Sequence, residues 1–263
     1  MKQRPISEQT PRLKDDLGAN SLRDYGFRQM QDASAFPLDS MFSGAELETL
    51  KAKILDRRGG LILSIGEVCS GKTSVLESML NFYYDSIEGP RIVTVEYFME
   101  MNIGGENPEW PVSKIDIKKL DREKITFAQF LPNLVSMRPD VIGIDDLQPG
   151  SSVEKINHYA SRGENFFASM AVKSFAEALT LLGNVDTLEA VILNERLHYS
   201  YGVNSSVFLS GVIFMTDELR EASKIFLEDG DEIKLNETVK ALKASSLAEK
   251  KRYMEDNVGY DVD

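Results

Sequence analysis

The stretch Gly66-Glu-Val-Cys-Ser-Gly-Lys-Thr73 is a complete G-x-x-x-x-G-K-[ST] pattern, and its flanks decide the fold. Leu61 to Ile65 before it is short, apolar and branched, as a buried strand requires. Ser74 to Tyr84 after it spaces Val75, Leu76, Met79, Leu80 and Phe82-Tyr83 to bury one helical face. Strand, glycine-bounded loop and helix is the context in which this pattern builds a phosphate-binding loop. Gly66 and Gly71 permit a tight turn whose consecutive N–H groups point inward. Lys72 brings a point charge for β- and γ-phosphates, Thr73 a hydroxyl for Mg²⁺, and the helix N-terminus its partial positive charge. The residues expected to hold a nucleotide are Gly66, Ser70, Gly71, Lys72, Thr73 and Ser74.

Working outward, Arg91 to Glu96, Asp140 to Ile144 and Asn165 to Met170 read as further buried strands, separated by helical patterns. Strands alternating with helices at this spacing predict an α/β fold: a mostly parallel sheet flanked by helices. Ser43 to Leu55 reads as a helix with a Leu47, Leu50, Ile54 stripe. Lys118 to Met137 reads as another, broken or kinked at Pro132. Asn102 to Pro111 reads as a loop. From Asp186 the pattern changes. Leu188 to Arg196 reads as helical, Leu197 to Tyr201 and Val207 to Phe214 as a strand pair, Thr216 as a helix cap, and 239–254 as a charged helix before an acidic tail. The expected divisions are a flexible or partner-binding arm over 1–42, a core over 43–184, and a C-terminal, mainly helical segment with a β-hairpin over 185–263.

A formal net charge of −12 and a sequence pI near 4.8 argue against a sequence-independent grip on nucleic acid or a broad hold on anionic lipid. The single cysteine, Cys69, excludes a disulfide framework within one chain and fits a reducing cytoplasm. The polar N-terminus has no apolar core of a signal peptide, and no apolar run reaches membrane length. A soluble, cytoplasmic protein is expected.

Asp145-Asp146 ends an apolar strand, where an acid can hold Mg²⁺ beside a phosphate loop. Thr73, Asp145 and Asp146 are thus candidate metal residues, with Asp146 also aligning the attacking water; the alternative is a solvated Asp-Asp turn. Glu96 and Glu100 end the neighbouring strand, and either could polarise water or complete the metal shell. His158 and His198 have no partner at metal-ligand spacing.

Taken together, Gly60 to Met170 resembles the RecA-like ATPase core of the type II/type IV secretion superfamily, the PilT-, DotB- and GspE-like P-loop motors. Thr94-Val-Glu-Tyr-Phe-Met-Glu100 matches that family's acidic box in both glutamates. Arg138-Pro-Asp-Val-Ile-Gly-Ile-Asp-Asp-Leu-Gln148 matches its second acidic motif, with Asp146 at the catalytic glutamate. Asn194-Glu-Arg-Leu197 and Val207 to Thr216 resemble its C-terminal segment. The resemblance implies ATP and Mg²⁺ as cofactors and Glu96, Glu100 and Asp146 as catalytic residues. It also implies a hexameric homo-oligomer whose partners are inner-membrane and other ATPase components of a pilus, secretion or conjugation machine. Membrane association is expected only through those partners, peripherally at the inner membrane, and no direct nucleic acid contact is expected.

The chain also departs from that family. Ala171 stands at its His-box histidine, Gln148 at its arginine, and Tyr97-Phe98 at its Asp-Pro. The residues before position 45 are too few for its N-terminal PAS-like domain, the source of its trans arginines; Arg57 and Arg58 are candidates by position alone. Slow or partner-dependent turnover is therefore expected. A catalytically weak regulatory or assembly paralogue and, more remotely, a P-loop kinase are the alternatives.

Overall fold

The computed structural model describes residues 28–29, 37–105, 108–198 and 206–243. Among them eight strands form one sheet: β1 (Arg28–Gln29), β2 (Gly60–Gly66), β3 (Ile92–Glu96), β4 (Val112–Asp116), β5 (Val141–Ile144), β6 (Asn165–Ala171), β7 (Leu188–His198) and β8 (Ser206–Phe214). Their spatial order is β1-β8-β7-β2-β6-β5-β3-β4. Every pairing from β7 across to β4 is parallel; β8 runs antiparallel to β7, and β1 antiparallel to β8. The fold is α/β with a mostly parallel sheet flanked by helices.

Period-two alternation sorts each strand between two helix layers. On β2, Leu61, Leu63 and Ile65 face one core and Ile62 the other. The second core is closed by α1 (Gly44–Ile54) and α2 (Lys72–Ser86), through Leu47, Leu50, Ile54, Val75, Leu76 and Met79. The first is closed by α4 (Phe127–Ser136), α5 (Ser151–Ala160), α6 (Phe175–Leu182), α7 (Asp217–Asp229) and α8 (Glu232–Lys243). The short α3 (Ile117–Arg122) follows β4, its N-terminus capped by Asp116. Burial on both faces explains why the parallel strands read as continuous apolar runs.

The C-terminal part differs from its predicted form. Leu188 to Arg196 is strand, not helix: β7 lies between β8 and β2, with Val191 and Leu193 in one core and Ala190 and Ile192 in the other. The segment after 184 thus supplies two strands of the main sheet. Its charged helix begins at Glu232, earlier than 239, and residues after 243 lie outside the described set. The strand expected from Leu197 ends at His198, and 199–205 also lie outside it.

In the N-terminal arm, Arg28–Gln29 pairs with Val207–Phe208, and Leu38, Met41 and Phe42 are buried in the core beneath α2. The rest of 1–36 lies outside the described residues.

The break expected at Pro132 falls elsewhere. The 118–137 stretch divides at Glu123–Thr126, where Lys124 takes a positive φ of 57°. A capping box of Thr126 and Gln129 then starts α4. Pro132 sits inside α4 and cannot donate to Ala128 O, the carbonyl four residues back. Lys155 on α5 fills that vacancy, donating its ammonium to Ala128 O at 2.7 Å. The loop expected over 102–111 holds for the described residues 102–105 and 108–111, with 106–107 outside them, but the strand after it, β4, went unread.

Candidate functional site

Because β2, β6, β5 and β3 are parallel, their carboxyl ends gather along one edge of the sheet. Registers set the neighbours: Gly66 lies beside Ala171 and Asn194, Ile144 beside Ala168, and Val95 beside Ile144. The Gly66–Thr73 loop, the Asp145-Asp146 pair and the Glu96–Glu100 loop therefore share an edge.

Gly66 has φ 154°, and a Cβ there would lie 2.3 Å from the Asn194 carbonyl oxygen and 2.4 Å from Ser70 Oγ, so only glycine fits. Gly71, at φ 93°, turns the chain into α2. Cys69 takes φ 63°, and its side chain is exposed. Lys72 is buried, and its ammonium donates across the loop to Glu67 O at 2.7 Å. Burial pulls the Lys72 ammonium below its usual range, while the charges of Asp146 and Asp145 pull it back up. Ser74 lies in the first turn of α2.

Asp145 is the hub of the acidic side. Its Oδ1 accepts from Thr73 Oγ1 at 2.9 Å and from Ser169 Oγ at 2.7 Å. Ser169 Oγ in turn accepts from the Asp146 N–H at 2.8 Å, which fixes Asp146 at φ 56° with its side chain exposed. Gln148 reaches back to Asp146 O at 3.2 Å.

The two glutamates differ in state. Glu96 is 1% exposed and both its oxygens are engaged, by Thr94 Oγ1 at 2.6 Å and by the Met101 N–H at 2.9 Å. Glu100 is exposed, and its carboxyl is pushed above the usual range by partial desolvation, then by the charges of Asp145 and Glu96. Glu77 on α2, absent from the sequence reading, joins this group. Burial pushes its carboxyl up against the pull of the Asn102 N–H, and the charge of Glu96 adds to the rise.

The loop fits a phosphate-bearing ligand on its own terms. Ser70 is 2% exposed, and among the described residues its Oγ has no hydrogen-bond partner, an orphaned donor inside the loop that Gly66 keeps open. The hydroxyl of Thr73 and the carboxylate of Asp145 offer the adjacent oxygen donors that Mg²⁺ prefers.

Of the residues picked out by sequence, Gly66 to Ser74, Asp145, Asp146, Glu96 and Glu100 come to this edge. Arg57 and Arg58 precede β2 and stand at the opposite edge, where Arg58 pairs with Asp56 at 2.6 Å. His158 lies on α5, near Arg162. Ser169, Ser64 and Asn194 were missed; Ser169 and Ser64 are buried polar residues in apolar strands, which is the signal that marks them, whereas Asn194 is buried at the polar end of β7.

The profile of the Type II/IV secretion system protein family matches residues 27–213. The type IV pilus assembly ATPase PilB of Acinetobacter baylyi is 26% identical over 159 residues, which are 60% of this chain and 26% of that protein. The chain thus spans about a quarter of that relative's length. The pilus retraction motor PilT, solved with bound ADP, superposes with a TM-score of 0.65 at 16% identity, over 88% of this chain and 68% of that one. The ATPase DotB of Legionella pneumophila superposes at 0.62 and 16% identity, over 85% and 63%. These two likenesses establish the fold as that of the RecA-like PilT ATPases. With the family profile covering well over half its length, the chain belongs to the type II/IV secretion system protein family.

Proposed function

We propose that this chain binds ATP at the carboxyl edge of the sheet and hydrolyses it, as a motor subunit of a pilus, secretion or conjugation machine. The observation that carries the reading is the meeting of the orphaned Ser70 hydroxyl, Lys72 and the Thr73–Asp145–Ser169 cluster at one loop. Backbone N–H groups of Ser70 to Thr73 and the Lys72 ammonium hold the phosphates. Thr73 and Asp145 would hold Mg²⁺, which would supply neutralisation of charge on the phosphates. Asp146, fixed through Ser169, orients water, and Glu100 takes its proton. Glu96, with both oxygens occupied, serves by shaping the loop that carries Glu100.

Assembly into a hexameric ring, with peripheral attachment to an inner-membrane complex, belongs to the same proposal. Its support is the family membership and the likeness to PilT and DotB. Among the described residues no helix is long and apolar enough to cross a membrane. One observation favours a second reading, a nucleotide-binding regulatory paralogue with little turnover. Ala171, beside Gly66 in the sheet, carries no group able to sense a phosphate.

ATP turnover and solution mass, each with and without Mg-ATP and with Lys72→Ala as control, test the proposal. Turnover lost in Lys72→Ala together with a ring-sized mass supports the motor. Tight binding with no turnover selects the regulatory reading.

A further inference from the structure

A buried line of hydrogen bonds crosses three strands and ends on the phosphate loop. Ser210 on β8 donates from Oγ to Asn194 Oδ1 at 2.7 Å. Asn194 on β7 donates from Nδ2 to Ser64 Oγ at 2.8 Å and to Ile65 O at 3.0 Å, with Ile192 O at 3.3 Å. Ser64 on β2 donates from Oγ to Lys72 O at 3.3 Å, the first carbonyl of α2. The registers place Ser210 opposite Asn194 and Asn194 opposite Gly66, and Ser64, two residues before Gly66, shares their face of the sheet. Ser64, Asn194 and Ser210 are 0, 3 and 4% exposed.

The direction of the line is fixed by what cannot donate. Two carbonyls, Ile65 O and Ile192 O, face one end of the Asn194 amide, so that end is the NH₂ and the other accepts from Ser210. Ser64, receiving from Asn194, is left to give its own proton to Lys72 O. Each bond then polarises the next. The main chain of Asn194 acts on the same loop, because its carbonyl oxygen occupies the space beside Gly66 that a Cβ would need, 2.3 Å away.

We infer that Asn194 is a positioning residue for the phosphate loop, holding the Ile65–Gly66 peptide through its side-chain amide and Lys72 through Ser64, so that nucleotide affinity depends on the β7–β8 pair. The affinity part of this inference rests on the nucleotide reading above; the loop-holding part does not. Asn194 touches no substrate. It acts by fixing the two ends of the loop, Gly66 and Lys72, relative to the sheet.

The sharpest variant is Asn194→Asp. It keeps the shape but turns an oxygen toward Ile65 O and Ile192 O, and it attracts the Ser64 proton away from Lys72 O. Ser64→Ala removes the middle of the line, and Ser64→Thr restores a hydroxyl. Two readouts are taken on the full chain: the Kd for Mg-ADP, and amide hydrogen exchange resolved by peptide. With Asn194→Asp and Ser64→Ala, exchange is expected to rise across 66–76 and not across β3 or α5. The Kd is expected to weaken about tenfold, the cost of one broken buried hydrogen bond. Ser64→Thr is expected to recover most of both. Exchange that stays at wild-type levels with unchanged Kd overturns the inference, as does exchange that rises evenly over the whole chain. If the wild-type chain binds no Mg-ADP, the nucleotide reading falls; a local rise in exchange still supports the relay. If Asn194→Asp does not fold, Ser64→Ala and Ser64→Thr decide between the same outcomes.

Discussion

The hydroxyl of Thr73 donates to Asp145 Oδ1 across 2.9 Å, although 72 positions separate the two residues. The contact joins the first turn of α2 to the end of β5, and it sets the place where a metal would be shared by loop and strand. Asp145→Asn retains an oxygen that accepts from Thr73 and Ser169 but loses the charge. The melting temperature is expected to hold within a few degrees. The gain in ADP affinity on adding Mg²⁺ is expected to shrink on the order of tenfold or more. Calorimetric titration with Mg²⁺ and with EDTA measures both values, and an undiminished gain would remove Asp145 from the metal site.

The two glutamates of the loop after β3 should separate cleanly. Glu96→Leu leaves the Thr94 hydroxyl and the Met101 N–H without their acceptor, so a stability loss of about 2 kcal/mol or more is expected. Glu100→Gln should melt as the wild type does and lose turnover by roughly 10²- to 10⁴-fold. A base must be deprotonated to work, and desolvation with the nearby carboxylates raises the Glu100 carboxyl. Wild-type turnover is therefore expected to climb with pH through a value above the ordinary glutamate range of about 4.3. A pH–rate profile whose acid limb survives Glu100→Gln would assign the proton to another group.

Gly66→Ala tests how tightly the loop is closed. The added methyl would have to displace the Asn194 carbonyl or Ser70 Oγ at a φ that alanine avoids. A loss of about 1–3 kcal/mol is expected, with nucleotide binding weakened as well. Denaturant unfolding and a fluorescent ADP analogue give the two numbers; a variant as stable as wild type would mean that β7 yields at Asn194.

At the opposite edge, Asp140 accepts from the Arg91 N–H at 2.8 Å and pairs with its guanidinium at 3.3 Å. Burial pushes the Asp140 carboxyl up, and these contacts more than offset it, holding it below the usual range. A lowered folded value means that the pair stabilises above the unfolded pKa and is lost as pH falls through the folded one. Arg91 is largely exposed, so Arg91→Gln is expected to cost only about 0.5 kcal/mol at pH 7. That gap should narrow between pH 7 and an acid pH below the ordinary aspartate range of about 3.9. Urea midpoints at the two pH values check it, and a gap that persists in acid would point to lost packing instead.

The parts legible in the sequence are those where one local rule governs. The strand, loop and helix around Gly66–Thr73 were readable because strand, glycines, lysine and helix stand next to one another, and the β3, β5 and β6 strands because burial on both faces leaves apolar runs. β7 was misread because Glu189 interrupts its apolar run near the start and Asn194, Glu195 and Arg196 close it with polar residues. Glu189 is there for a tertiary reason, taking Lys53 from α1 at 2.5 Å and Arg220 from α7 at 3.2 Å. β4 was missed because an edge strand needs little apolar sequence: Ser113 and Lys114 are exposed. Pro132 was read as a break because its remedy, Lys155, lies on another helix. Which glutamate is engaged and which is exposed depends on Thr94 and the Met101 N–H, information that appears only once the loop has closed.

Cys69 has a practical use that follows from its position. It is the one thiol in the chain, it is exposed, and it sits on the turn between Gly66 and Lys72. A maleimide dye added to the unmodified protein therefore marks a single atom on the loop proposed to hold phosphates. Under the proposed function, its emission would track nucleotide entering and leaving the loop in real time.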